Sequence, residues 1–193
     1  MSNKLNDRIK QIFVFTGDQK VLKHLVFSDD WQTAKEIQKD TVLSKAAVNI
    51  ALNNLYKSDL VERDQKGKTY LYRANADYPI ASALKQYKLL NNLVEILPLV
   101  QKIIPLSQKI ILFGSASRGE NYSKSDIDLM AVTHNSEQVK VKAMSKKLFL
   151  NKKVQIITHS PNSLLKLEKS DPIFYQEIES GVVLWEKEEH YAE

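Results

Sequence analysis

Residues 109–132 read Lys109-Ile110-Ile111-Leu112-Phe113-Gly114-Ser115-Ala116-Ser117-Arg118-Gly119-Glu120-Asn121-Tyr122-Ser123-Lys124-Ser125-Asp126-Ile127-Asp128-Leu129-Met130-Ala131-Val132. The first five form a short, β-branched apolar run suited to a buried strand, and it stops abruptly at Gly114-Ser115. A strand-to-helix turn is predicted there. Glycine lets the backbone approach a bulky anion, Ser115 offers a hydroxyl, and the N–H groups opening a helix over 116–120 can receive phosphate oxygens. Arg118 adds a fixed positive charge nearby. Ten residues after Ser115, a second strand is predicted over 126–132. Strand side chains alternate, which puts Asp126 and Asp128 on one face about 6–7 Å apart. Two carboxylates so close repel unless a cation sits between them, and Mg²⁺, a hard ion that shares its shell with substrate phosphates, is the natural occupant.

A glycine-serine phosphate turn beside a metal-binding carboxylate pair describes an apparatus for nucleotidyl transfer. Each piece alone is common. In combination, Phe113-Gly114-Ser115-Ala116-Ser117-Arg118-Gly119 followed by Ser125-Asp126-Ile127-Asp128-Leu129 resembles the minimal nucleotidyltransferases of the DNA polymerase beta-like superfamily, whose signature is Gly-Ser, ten residues, then Asp-x-Asp. The resemblance covers roughly residues 90–186 and includes a terminal helix around Phe174 to Ile178 and a terminal strand from Gly181 to Glu186. It implies Mg²⁺-dependent transfer of a nucleoside monophosphate from an NTP, with ATP the expected nucleotide. Asp126 and Asp128 would be catalytic and hold the metal, while Gly114, Ser115 and Arg118 would bind the nucleotide. Such proteins include antitoxins that nucleotidylate a partner toxin, so a protein acceptor is among those implied.

The resemblance also implies a third carboxylate on a following strand, to help hold the metal and to deprotonate the attacking hydroxyl. The candidate strand is Lys153-Val154-Gln155-Ile156-Ile157-Thr158, and the acidic position falls on Gln155. An amide offers a carbonyl oxygen but no negative charge, and it is far too weak a base to take a proton. Active transfer and nucleotide sensing without turnover therefore both stand. Glu168 and Asp171 lie downstream, but outside any strand-like run. His134 and His159 each follow a strand of this half and are candidates for the site mouth, or else ordinary surface residues. Lys124 could meet phosphate or simply be solvated, and Trp31 and Trp185 read as packing residues.

Upstream, Val21, Leu22, Leu25 and Val26 have the spacing of a helix with one buried stripe. Thr33-Ala34-Lys35-Glu36 is a capping box opening a short second helix. Ser44 starts a third, whose buried side is Ala47, Val48, Ala51, Leu52 and Leu55. Its outer face carries Lys45, Asn49 and Asn53, suited to phosphates and base edges. Leu60 to Asp64 and Thr69 to Arg73 then form a hairpin with Gly67 in its turn and Lys66 and Lys68 at a basic tip. Residues 12–78 resemble the winged helix-turn-helix of bacterial and archaeal transcription regulators. That implies DNA binding through Lys45, Asn49, Asn53, Lys66 and Lys68, and a homodimer as the expected state. The same elements also serve elsewhere as dimerisation or protein-docking modules.

Between the halves, apolar residues recur at 80, 84, 87, 90, 93, 97, 100 and 104, and Pro98 is expected to kink or divide this stretch, which is read as two helices. Two domains are thus expected, 1–88 and 89–193: a winged helix of three helices and a hairpin, then a small mixed-sheet nucleotidyltransferase domain, an α+β chain in all. The 193 residues suffice for both. The net charge of +5 is unevenly spread: 15 Lys+Arg face 10 Asp+Glu in 1–88, against 13 of each in 89–193, which fits a polyanion-binding first half. The absence of cysteine excludes disulfides, thiolate metal sites and a cysteine nucleophile. No run of about 18 apolar residues is evident and Met1-Ser2-Asn3-Lys4 is polar, so no membrane partner and a cytoplasmic location are expected.

Overall fold

The computed structural model describes residues 16–28, 30–77, 79–145 and 153–188. Met1 to Lys4 and the first residues of the 12–78 resemblance lie outside these. Contacts divide the chain into two compact units, Met1–Lys88 and Leu89–Glu193.

In the first unit, α1 (Gly17–Val26) is opened by a capping box in which Thr16 and Gln19 satisfy each other's backbone N–H groups. The Thr33–Glu36 box opens α2 (Ala34–Thr41), and Ser44 accepts from the Ala47 N–H to open α3 (Lys45–Lys57). The apolar stripes of these helices close around Leu25, Ile37, Val48, Leu52 and Leu55, with Val61 and Leu84 completing the core. Strands β2 (Val61–Lys66) and β3 (Thr69–Ala74) pair antiparallel through a turn in which Gly67 takes φ +65°, a conformation that glycine adopts without penalty. A third strand, β1 (Gln32–Thr33), pairs with β3, giving the order β1-β3-β2. Two residues are too few to show a period in sequence. Arg63 lies over the rings of Tyr56 and Tyr70, 4.2 and 4.6 Å from their centroids, and Arg73 over Trp31 at 4.6 Å.

The connector corrects the sequence reading: a single helix, α4 (Ile80–Ile103), runs through Pro98. An interior proline costs one backbone hydrogen bond and about 3 kcal/mol. Burial of Ile96, Leu99, Val100 and Ile103 on both sides of it holds the helix continuous. By length and composition the stretch Ile80–Leu106 is apolar enough to cross a membrane, contrary to expectation. From Asn91 onward it packs an apolar stripe of Ile96, Leu99, Val100 and Ile103 on a sheet, with Asn91 and Asn92 themselves buried.

The second unit is a four-stranded sheet of order β6-β5-β4-β7, with β4 (Lys109–Phe113), β5 (Ile127–Val132), β6 (Val154–His159) and β7 (Val182–Glu186). β4 runs antiparallel to both β5 and β7, while β5 and β6 are parallel. Ile110, Leu112, Ile127, Leu129, Ala131 and Ile156 form one core with α4 and with Val141 of α6 (Gln138–Ser145). On the opposite face Ile111, Phe113 and Met130 pack with Leu167 of α7 (Pro161–Ser170) and Phe174 and Ile178 of α8 (Pro172–Glu179). Layers on both faces explain why β4 is buried along most of its length and reads as an unbroken apolar run. Trp185 packs against the first of these cores, as a structural residue.

Candidate nucleotide site

β4 delivers its chain to the end of the sheet at which β5 begins, since Phe113 pairs with Asp128. There the backbone turns at Gly114 with φ +71°. A Cβ on Gly114 would lie 3.1 Å from Asp128 Oδ2, so the glycine bend and the carboxylate are immediate neighbours. The following helix, α5 (Gly114–Ser117), begins two residues before the predicted 116–120 segment and lasts four residues. Ser117 Oγ donates to the Gly114 carbonyl at 2.8 Å, and the Glu120 N–H to that of Ser115 at 2.9 Å, closing the turn tightly. The second strand begins at Ile127, one residue later than predicted, and Asp126 stands just before it.

The loop between bend and dyad is fixed from beneath by a contact the sequence does not advertise. Asn92 of α4 donates from Nδ2 to the Ala116 carbonyl at 3.0 Å and to Asn121 Oδ1 at 2.8 Å, and Asn121 Nδ2 donates back to Asn92 Oδ1 at 3.2 Å. Both amides are fully buried. Asn92→Ala leaves the buried Asn121 amide without its reciprocal partner and takes one donor from the Ala116 carbonyl, so a loss of about 2–3 kcal/mol is expected in denaturant unfolding. An unchanged midpoint would contradict the pairing.

Half-buried Asp128 has its pKa raised above the ordinary aspartate value by burial, and further by the negative charges of Asp126 and Glu177, against a lowering influence of Lys153. A carboxyl pushed upward by folding costs nothing where it is protonated in both states. The cost grows as pH rises past the ordinary aspartate value and is complete above the raised one. A bound cation removes it. Lys153 Nζ already sits 2.7 Å from Asp126 Oδ2, and this hydrogen bond raises the lysine pKa.

Gln155 is the direct neighbour of Asp128 across the parallel β5–β6 pair. It is exposed on the strand position nearest the dyad. Arg118 is already engaged, its Nε 2.9 Å from Glu120 Oε2 and a terminal nitrogen 4.0 Å from Glu177 Oε1. Ser115 is partly exposed on α5, and Lys124 is exposed in the loop. Glu177 escaped the sequence reading because it lies on a helix 49 residues beyond Asp128, which the burial of Ile178 and the edge-on packing of Phe174 on Phe113, 5.8 Å between centroids, bring against this face of the sheet. Asp171 caps α8 by accepting from the Phe174 N–H, which accounts for it structurally.

His134 and His159 belong elsewhere. His134 follows β5 and His159 ends β6, both at the C-terminal ends of these parallel strands, whereas the dyad is at the N-terminal end of β5, so the length of a strand separates them from it. His159 faces Ser163, and burial lowers its pKa.

In the first unit Lys45, Asn49 and Asn53 are exposed along α3, and Lys66 and Lys68 are exposed at the hairpin tip. Ile50 is exposed beside Asn49 on the same helix.

A mixed sheet whose glycine bend abuts the second aspartate of an Asp-x-Asp pair defines a nucleotidyltransferase-type domain. The model of the Polymerase beta, Nucleotidyltransferase family matches residues 91–190, and the chain belongs to that family. No curated protein matches the chain significantly. Among solved structures, that of TrmBL2, an archaeal chromatin protein described as showing a novel mode of DNA binding, aligns over 91% of this chain and 74% of its own at 15% identity and a TM-score of 0.31. A likeness that slight carries no argument about fold or function.

Proposed function

We propose that this protein transfers a nucleoside monophosphate from a nucleoside triphosphate, with ATP the expected donor, to a hydroxyl acceptor that can be a protein. The single observation carrying this reading is the packing of Asp128 against the positive-φ Gly114, where a Cβ on the glycine would meet Asp128 Oδ2 at 3.1 Å, with Asp126 two residues before it. The donor set fits Mg²⁺: two carboxylates, one of them held at a raised pKa by burial and by the charges of Asp126 and Glu177, and an amide oxygen at Gln155. Asp126 and Asp128 would hold the ion, which supplies charge neutralisation for phosphoryl chemistry. Gly114 leaves room for the triphosphate against the bend and Ser115 offers it a hydroxyl. Arg118 must loosen from Glu120 and Glu177 to reach it. Labelled nucleotide incorporation with Mg²⁺ tests the reading. It should occur with the native chain and fall to background in Asp126→Ala/Asp128→Ala, and equal incorporation by the two would remove the proposed chemistry.

Gln155 favours a second reading, in which the site binds nucleotide without turnover and alters DNA affinity. The proposed DNA-binding element is the first unit, read as a winged helix occupying 1–88: helix, short strand, two helices, then a hairpin, with α3 as the recognition helix and β2–β3 as the wing. The net positive charge of residues 1–88 and the acid-free α3 support it. On this reading the full chain binds duplex DNA with an affinity that falls steeply with salt. Lys66→Ala/Lys68→Ala should then weaken binding alike on unrelated sequences and flatten the log–log salt slope by about 2. A native chain that shifts no DNA at low salt would instead make this unit a docking or dimerisation module.

A further inference from the structure

Resting on the dyad reading above, we infer that Lys153 is a resident counter-ion of the Asp126–Asp128 pair, which a divalent cation must displace in order to bind. The placement belongs to the sheet and not to a wandering side chain. Val154 pairs with Ile127, and the Ile127 N–H donates to the Lys153 carbonyl at 3.0 Å, so the lysine backbone is held alongside Asp126. From there Nζ reaches Asp126 Oδ2 at 2.7 Å. The ammonium also acts on Asp128, countering part of the charge that Asp126 and Glu177 impose there. It therefore answers the same electrostatic demand as a metal ion, through an oxygen the ion would need.

The lock is reversible. Lys153 is 73% exposed, and an exposed ion pair is weak and readily exchanged. No third His, Asp or Glu stands close enough to complete a metal cluster among the described residues. The dyad thus meets a free cation with two carboxylates and a competing ammonium. A cation arriving on a triphosphate brings further anionic oxygens of its own, and these offset the loss of the lysine contact. Lys153 thereby biases the site against free metal and toward the metal–nucleotide complex.

Binding of Mn²⁺ alone to the full-length protein, followed by the loss of the free-ion EPR signal, tests this without any turnover. Lys153→Gln should bind Mn²⁺ about tenfold more tightly than the native chain, the effect of removing one positive charge a few ångströms from a dication in a wet site. Lys153→Arg should stay near the native value, because it keeps the charge. Adding Asp126→Asn to Lys153→Gln should abolish the gain. Equal Mn²⁺ affinity for the native chain and Lys153→Gln would overturn the inference while leaving the dyad as a metal site. No binding by either would overturn the inference together with the reading on which it rests.

Discussion

Gly181→Ala will destabilise the protein by about 3 kcal/mol, lowering its Tm by roughly 10 °C. The cause is contact, since a methyl group there would fall 2.5 Å from the Leu112 carbonyl oxygen, 2.7 Å from Ile111 Cγ2 and 2.9 Å from the Ile178 carbonyl oxygen. Two of these three are main-chain atoms, one in β4 and one in α8, so neither can rotate aside. Relief requires the turn between α8 and β7 to move away from β4. Leu112 stands two residues before the Gly114 bend, so the disturbance reaches the candidate site as well. Gly17→Ala is the control, because nothing lies within 4 Å of a Cβ at that position and its φ is ordinary. It should be neutral or slightly stabilising. Thermal unfolding of the two variants side by side decides the point, and equal Tm values would contradict the packing described for Gly181.

The second large effect is a gain. Gln155→Asp places a carboxylate beside Asp128, on the neighbouring strand and in direct register with it. If transfer in the native chain is limited by the lack of a group to accept the acceptor's proton, restoring one should raise the rate by about 10²–10⁴, the usual worth of a positioned base. The same change adds a further negative charge beside Asp126, Asp128 and Glu177, pushing the Asp128 pKa further upward and costing stability at neutral pH in the absence of metal. Mg²⁺ should therefore raise the Tm of Gln155→Asp more than that of the native chain. Gln155→Ala, which removes the amide without adding charge, separates the two effects. A folded Gln155→Asp protein with native activity would show that proton removal is not the limiting step.

Much of the site was written locally. The β-branched run ending at Gly114, the Asp-x-Asp ten residues on and the Gly67 hairpin each announce themselves within a few residues, because glycine, alternation and capping are short-range signals. The capping boxes at Thr33 and the cap at Ser44 were legible for the same reason. What escaped depends on contacts across the chain. Asn92 looks like a polar interruption of a helix until Asn121, 29 residues away, completes it. Lys153 reads only as the first residue of a strand until the β5–β6 register sets it against Asp126. The choice between site mouth and ordinary surface stayed open for the histidines because a pattern of strands does not disclose which end of the sheet each stands at. Pro98 was read as a divider because its local cost is visible in sequence, whereas the burial that offsets it is spread over residues on both sides.

The reciprocal amides of Asn92 and Asn121 couple two distant positions. Losing either one strands the other's donor and acceptor away from solvent, yet a pair of leucines of similar volume asks for no such partners, and the Ala116 carbonyl keeps its backbone donors Arg118 and Gly119. In a double-mutant cycle the joint replacement should therefore harm less than the two single losses added together. Selection can reach that apolar alternative only across a valley, which binds residues 92 and 121 into one heritable unit.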